Sequence, residues 1–356
     1  MLVGIALCSC GGSGIGAGTV TRVHGSGNAG VQSGLVPIGV GLSGAPGLRA
    51  SVYAHGPPTV ASFVFDPAGR LWLAAAGLES HTYDGVYVVA KANERARKII
   101  SGLDDPLGMD WYDGRLYVAS AGRVDAYFGF DGTRFTHHRK VLDGPEKEGE
   151  NNWLVTAPDG RLVMGVSATC DHCQPTSKWD GAIVSFKPDG SDLRVFASRI
   201  RAPVGLAYFP GTDDLFATMN QSDNLGPATS GDWLSIVREG EDWGFPGCHG
   251  QGGPLCAGVP SPLALLDPHG AVGGLTFVTG QLWPSVGTSA LVAEWNAAKV
   301  QRVGLERVGR GFRSTGVTPF LRGLRNPLAL AFRTGGSLTV GDWATGTIYS
   351  LSDPND

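Results

Sequence analysis

Alternating apolar and polar positions recur along this chain in a repeated unit. In each copy, an alternating stretch leads into a short turn, commonly Asp/Pro-Gly, and a second apolar stretch follows. Period-two alternation is typical of a half-buried strand, and glycine supplies the positive φ that a tight turn requires. Each copy therefore predicts a β-hairpin. The six copies cover residues 62–73, 106–118, 153–164, 203–215, 273–293 and 327–338.

The spacing of the copies predicts the architecture. A leucine follows the turn of each copy, at positions 71, 116, 162, 215, 291 and 338, so the steps are 45, 46, 53, 76 and 47 residues. A β repeat of about 40–50 residues is the period of a propeller blade. We therefore predict an all-β, six-bladed β-propeller, with a β-sandwich as the alternative. A strand at 48–54 is expected to close the last blade by pairing beside 347–351.

Composition supports an all-β fold and excludes several classes. Of 356 residues, 55 are glycine and 22 proline, which helix interiors penalise. Hydrophobic residues make up 42%, with nine tryptophans, enough for a substantial core. The formal net charge of −4 provides no basic face for a nucleic acid. No apolar run reaches the roughly 18 residues of a membrane span.

The first residues resemble a targeting segment. Residues 1–10 read MLVGIALCSC and are followed by Gly/Ser-rich sequence. This resembles a bacterial lipoprotein signal with Cys10 as the lipidated residue, although no Lys or Arg precedes the apolar stretch. The alternative is a disordered N-terminus with two idle thiols. We expect an exported protein, in the cell envelope or secreted, whose only membrane contact is a lipid anchor. Residues 1–45 would be leader and linker, and 46–356 a single propeller domain.

Four further cysteines form two close pairs. Cys170 and Cys173 are separated by two residues, and Cys248 and Cys256 enclose a Gly/Pro-rich loop. Two local disulfides are expected, which agrees with export. A zinc site is the alternative, because histidines lie among these cysteines.

Several phrases resemble the glucose/sorbosone dehydrogenase family, the soluble quinoprotein propellers that use pyrroloquinoline quinone (PQQ) and calcium. The most specific are residues 185–190, 200–207 and 241–246, which follow the family's order. Residues 268–271 and 291–296 resemble the family's later His-containing and Ala-Glu-x-x-x-Trp-Asn segments. The resemblance covers nearly all of the repeated region.

The resemblance implies a site at the mouth of the central channel. PQQ carries three carboxylates, so arginine and a cation are expected around it. The calcium ligands in this family are largely main-chain carbonyls, so residue identity says little about them. By resemblance, the cofactor-binding residues are Arg201, Arg325, Asn326 and Lys299, and the metal-binding residues are Asn220, Gln221 and Ser222.

The sequence departs from the family at the catalytic base. The family's histidine should precede the third copy, where this chain has none. Glu148 or Glu150 could replace it as a carboxylate base, or could be a solvated loop charge. His269 is the other catalytic candidate, or else a structural histidine. The family's polar residues are also replaced by Ala202 and Ala297.

Three functions follow as hypotheses. The first is an exported PQQ- and calcium-dependent dehydrogenase that oxidises an aldose or sorbosone-type sugar. The second is a catalytically degenerate propeller that binds a glycan or envelope partner at the mouth. The third is a calcium lactonase, for which Glu294, Asn326 and Asp342 are loosely available.

Overall fold

The computed structural model describes residues 34–144, 150–225 and 230–354. These residues contain 26 β-strands and no α-helix. Three strands precede the first repeat: β1 (Val36–Gly39), β2 (Leu42–Gly44) and β3 (Arg49–His55). The low helical content agrees with the glycine- and proline-rich composition.

Six antiparallel sheets account for the remaining strands, each built from one repeat and its flanking sequence. The first three blades are β4 (Val60–Phe65), β5 (Leu71–Ala75), β6 (Gly85–Val89), β7 (Arg97–Ile100); β8 (Gly108–Tyr112), β9 (Arg115–Ser120), β10 (Arg123–Phe130), β11 (Phe135–Asp143); and β12 (Asn151–Thr156), β13 (Leu162–Val166), β14 (Ala182–Phe186), β15 (Arg194–Ala197). The last three are β16 (Pro203–Tyr208), β17 (Leu215–Met219), β18 (Trp233–Val237), β19 (Ala264–Leu265); β20 (Val272–Val278), β21 (Ser289–Glu294), β22 (Lys299–Val308), β23 (Gly311–Arg322); and β24 (Pro327–Phe332), β25 (Leu338–Asp342), β26 (Thr347–Ser352).

The first strands of the six blades form a closed ring. β4 packs on β8, β8 on β12, β12 on β16, β16 on β20, β20 on β24, and β24 returns to β4. This arrangement is a six-bladed β-propeller, and the predicted fold class is confirmed. The hydrophobic clusters lie largely between neighbouring blades, as in the packing of Trp72 from the first blade against Trp111 from the second.

The N-terminal strands join two different blades. β3 pairs antiparallel with β26 as the outer strand of the sixth sheet, in the region where a strand at 48–54 was expected. β1 and β2 extend the fifth sheet through β23. Ile38 and Leu42, from the segment expected to be linker, are buried in the core cluster of that region.

Glycines in the first strands allow the blades to approach one another closely. A Cβ atom on Gly108 would overlap the carbonyl oxygen of Asn152, and one on Gly205 would overlap that of Gly273. Both glycines follow a proline by two residues in the repeated phrase. The phrase therefore carries glycine because the neighbouring first strand leaves no room for a side chain.

We predict that Gly205→Ala destabilises the protein by about 1–3 kcal/mol, because the added methyl group forces two first strands apart. Urea unfolding measures this change. Gly247→Ala is the control, since a Cβ there would meet its nearest atom, the Gly244 carbonyl oxygen, at an ordinary 3.8 Å. Equal stability of Gly205→Ala and the wild type would contradict the close approach.

Candidate functional site

One rim of the ring collects the sequence-predicted site residues. Consecutive strands of a blade are antiparallel, so each first strand begins at the end where each second strand finishes. The loops before the first strands and after the second strands therefore meet at one rim, which we call the mouth. These loops, or the strand ends beside them, contain Glu150, Arg201, Asn220, Gln221, Ser222, His269, Lys299, Arg325 and Asn326. Glu148 lies outside the described residues, as does Cys10.

Arg201 is bound by a carboxylate of the neighbouring blade. Its Nη2 donates to Asp171 Oδ1 at 2.9 Å, and its Nε donates to the Asp171 carbonyl at 3.2 Å. Its Nη1 donates to the carbonyl oxygens of Gln221, at 3.1 Å, and Asn220, at 3.4 Å. The guanidinium is thus engaged on every side, and it faces the carbonyls that were expected to bind calcium.

The predicted metal loop is also held by Asp171. The Ser222 hydroxyl donates to the Asp171 carbonyl at 2.8 Å. The main-chain N–H groups of Asp223 and Asn224 donate to the Asp171 carboxylate at 2.8 and 3.1 Å. The loop of the fourth blade is therefore fastened to the third blade through one aspartate.

Two disulfides support this region, as predicted. Cys170 is bonded to Cys173 and Cys248 to Cys256. The first disulfide encloses Asp171 in a four-residue loop, which restricts the positions that its carboxylate can reach. The zinc alternative is wrong for these four cysteines.

A buried aspartate connects the metal loop with the segment after His269. Asp232 Oδ1 accepts the Gln221 N–H at 2.9 Å, and the main-chain N–H groups of Ala271 and Val272 lie close enough to its carboxylate to lower its pKa against the effect of burial. Burial raises the pKa of Asp232 to about 7. The carboxylate of Asp232 thus holds the metal loop through Gln221 and lies next to the segment after His269.

His269 reaches the same group of residues. Its Nδ1 lies 3.3 Å from Asp223 Oδ1, and its side chain is 43% exposed. Asp223 Oδ2 in turn lies 3.9 Å from Arg201 Nη2. The fold therefore brings His269, Arg201 and the loop at 220–222 together, as the sequence suggested, with two aspartates between them that the sequence analysis missed.

Lys299 is buried and pairs with one buried and one partly exposed carboxylate. Its Nζ is 2.6 Å from Asp267 Oδ2 and 3.3 Å from Glu294 Oε2, and Glu294 is fully buried. The Asp267 N–H also donates to Glu294 Oε1 at 3.1 Å. Lys299 is therefore neutralised by the fold rather than directed at an open site.

Among the cations predicted to bind the cofactor, Arg325 has no ion-pair partner in the described part of the chain. Its main-chain N–H donates to Asp342 Oδ2 at 2.7 Å, while its side chain is exposed. Within the described part of the chain, no hydrogen bond or ion pair holds its guanidinium. Asn326, beside it, donates through Nδ2 to the Trp295 carbonyl at 3.1 Å.

The mouth beside Asn326 is apolar. Trp295 and Trp343 meet edge to face, with ring centroids 5.5 Å apart. The Trp343 indole donates to the Ala76 carbonyl at 3.0 Å, and the surrounding cluster includes Leu107 and Leu328. The cluster is largely buried, and Trp343 is a partly exposed aromatic residue in it, next to the polar groups of the mouth.

Glu150 is a half-buried carboxylate directly before β12. Ser167 Oγ donates to it at 3.4 Å and accepts from Asn152 Nδ2 at 2.7 Å. Burial raises the pKa of Glu150 to about 7, and the charge of Asp105 raises it further, while Arg201 opposes this shift. Glu150 therefore exchanges a proton near neutral pH, as a general base must.

Asp105 belongs to a polar cluster that the sequence analysis missed. One ligand atom from each of His81, Asp84, Asp104 and Asp105 lies within 4.8 Å of the others. The hydrogen bond to Asp84 raises the pKa of His81. These residues belong to the loops after β5 and before β8, so the strand pattern alone would have placed them at the mouth.

A cavity of about 210 Å³ opens beside Arg201 and Gln221. The stacked indoles of Trp233 and Trp243, 4.5 Å between centroids, line it together with Phe245. The Trp243 ring nitrogen is buried without a hydrogen-bond partner in the described structure. The cavity thus offers aromatic surface and polar groups to a small ligand.

Solved structures of other proteins share this propeller fold. No family model matches the chain, and no curated protein matches it significantly. The holo PQQ domain of pyranose dehydrogenase from Coprinopsis cinerea matches with 16% identity over 87% of this chain and 97% of that chain, with a TM-score of 0.73. The PQQ-bound aldose sugar dehydrogenase from Streptomyces coelicolor is 18% identical over 86% and 99%, with a TM-score of 0.69. The calcium structure of a Carbohydrate-Active Enzymes Family AA12 protein from Trichoderma reesei is 15% identical over 90% and 99%, with a TM-score of 0.71.

The chain has the fold of the PQQ sugar dehydrogenases. At 15–18% identity, the likeness between this chain and these three structures is one of fold. Residues 34–144, 150–225 and 230–354 contain no helix with the length and apolarity of a membrane span.

We predict that Lys299→Met destabilises this propeller by about 3–5 kcal/mol, because it leaves the buried Glu294 carboxylate unpaired. Lys140→Met is the matched control: its Nζ also lies 2.6 Å from an aspartate oxygen, of Asp143, but both side chains are exposed. An exposed pair is worth about 0–1 kcal/mol. Chemical denaturation that gives equal losses for the two variants would contradict a structural role for Lys299.

We predict that the free energy of unfolding falls as the pH rises from about 4.5 to about 7, because Glu150 loses its proton more readily in the unfolded chain. Its pKa is about 7 in the folded chain against 4.5 as the ordinary value, so unfolding releases a proton between these values. Stability then falls across this window by at most about 1.4 kcal/mol per pH unit and levels off above it. Glu150→Gln should flatten the slope.

Denaturation at a series of pH values measures this slope. Asp189→Asn is the control, because the hydroxyl of Ser191 lowers the pKa of Asp189 and moves its titration below the window. An unchanged slope in Glu150→Gln would show that Glu150 titrates at its ordinary pKa.

Proposed function

We propose that this protein is an exported sugar dehydrogenase of the PQQ type, which oxidises an aldose or sorbosone-type sugar at the mouth. The observation that carries this proposal is Glu150, a carboxylate of pKa about 7 at the start of the third blade's first strand. The resemblance expects the catalytic base in this part of the chain. Two disulfides and the N-terminal sequence support export.

Glu150 would act on the sugar hydroxyl. Above about pH 7 the carboxylate is ionised, and it could accept the proton of a substrate hydroxyl. Ser167 Oγ donates to one of its oxygens at 3.4 Å. Trp343, which is partly exposed beside the buried Trp295, could offer the sugar an aromatic surface.

The closed mouth does not fit PQQ and calcium without rearrangement. Of the three cations expected to meet the cofactor's carboxylates, Arg325 is available, whereas Arg201 is paired with Asp171 and Lys299 with Asp267. The Asn220 and Gln221 carbonyls, which were expected to bind calcium, accept hydrogen bonds from Arg201 Nη1 at 3.4 and 3.1 Å. A calcium ion on the same oxygens would lie close to the guanidinium and would be repelled by its charge.

A sugar-binding propeller without turnover is the second candidate. The paired state of Arg201 and Lys299 favours it, as do Ala202 and Ala297 in place of polar residues. The cavity beside the stacked indoles Trp233 and Trp243 would also serve binding alone. This candidate would retain the fold and the sugar site and have lost the redox chemistry.

Reconstitution separates the two candidates. We predict that the full chain, incubated with PQQ and Ca²⁺, reduces a dye in the presence of aldoses, and that activity rises as the pH passes about 7 with the ionisation of Glu150. Glu150→Gln should lower kcat by about 10²–10⁴-fold, the usual contribution of a general base, with a smaller effect on KM.

The control for this experiment is Glu239→Gln. Glu239 is an exposed carboxylate that pairs with Arg194 and follows β18, away from the mouth. Aldose binding by calorimetry without PQQ-dependent turnover would overturn the dehydrogenase proposal and support the binding candidate. Loss of turnover in Glu239→Gln equal to that in Glu150→Gln would exclude a specific role for Glu150.

A further inference from the structure

The carboxylate of Asp171 lies in a site built for an anion. Arg201 Nη2 and the Asp223 N–H both donate to Oδ1, at 2.9 and 2.8 Å, and the Asn224 N–H donates to Oδ2 at 3.1 Å. One guanidinium and two consecutive main-chain N–H groups thus hold both oxygens. Such sets recognise carboxylates and phosphates in many proteins.

The residue that fills the site is held on its main chain as well. The Asp171 carbonyl accepts from Ser222 Oγ at 2.8 Å and from Arg201 Nε at 3.2 Å. The Cys170–Cys173 disulfide closes the chain on both sides of it. The loop therefore presents a carboxylate at a fixed place, as a tethered ligand would.

The site is within reach of solvent. The side chain of Asp171 is 20% exposed and that of Arg201 is 11% exposed. An external carboxylate would take the place of the Asp171 carboxylate on Arg201, and Asp171 would turn outward with its loop. Asp223, 3.9 Å from Arg201, and the nearby Glu150 would remain as acidic groups, so the site has room for one carboxylate group of a ligand.

We propose that Arg201 and the N–H groups of Asp223 and Asn224 form a carboxylate-binding site, and that Asp171 occupies it as the chain's own ligand. A molecule with a carboxylate binds there by displacing Asp171. For PQQ, this inference rests on the proposed function, because one of its carboxylates would be the displacing group.

Removal of Asp171 tests the site with acetate as the probe. We expect Asp171→Ala to bind acetate at least about tenfold more tightly than the wild type, because the guanidinium and both N–H groups lose their internal ligand. Saturation-transfer NMR measures binding, with chloride at matched ionic strength as the reference. The double variant Asp171→Ala/Arg201→Gln should lose the gain.

Two further variants keep the test decisive. Asp171→Asn serves as a second variant in case Asp171→Ala folds poorly. It retains a side-chain oxygen for the N–H groups but removes the charge, so we expect a smaller gain in acetate affinity than for Asp171→Ala. Asp189→Ala removes an exposed carboxylate from the turn after β14 and should leave affinity unchanged. Equal acetate binding by the wild type and both Asp171 variants, with native circular dichroism, would overturn the proposal.

PQQ binding by the same variants separates this inference from the proposed function. Tighter acetate binding with no PQQ binding would support the carboxylate site and count against the dehydrogenase. PQQ binding that is equally tight in the wild type and Asp171→Ala would support the dehydrogenase and overturn displacement of Asp171.

Discussion

The close approach of the six first strands is the constraint on which the rest of the structure depends. Glycines such as Gly108 and Gly205 let neighbouring first strands touch through their backbones, and the ring closes when β24 meets β4. Antiparallel pairing then sends the loops before every first strand and after every second strand to one rim. Residues far apart in sequence meet at the mouth for this reason.

Charge at the mouth is balanced largely within the chain. Arg201 is matched by Asp171 and Lys299 by Asp267 and Glu294, while the Arg325 side chain is exposed without a pairing among the described residues. Burial leaves Glu150 and Asp232 with pKa values of about 7. The mouth therefore combines a carboxylate that titrates near neutral pH with cations that are, apart from Arg325, paired within the described chain.

The sequence predicted the architecture well because a propeller repeats one local pattern. Alternating strands, turn glycines and a 45–53-residue step were enough to place most blades, and the cysteine spacing predicted both disulfides. β1 and β2 were missed because three or four residues in glycine-rich sequence carry no periodic signal. The pairing of Arg201 with Asp171 was missed because it joins loops of two blades, and no local pattern reports such contacts.

A structure of the protein with PQQ and Ca²⁺ bound tests the central claim most directly, that the mouth accepts a carboxylate ligand at the place now held by Asp171. The account predicts a PQQ carboxylate on Arg201 and on the N–H groups of Asp223 and Asn224, with the Cys170–Cys173 loop moved aside. PQQ bound in the mouth with the contact between Asp171 and Arg201 intact would contradict it.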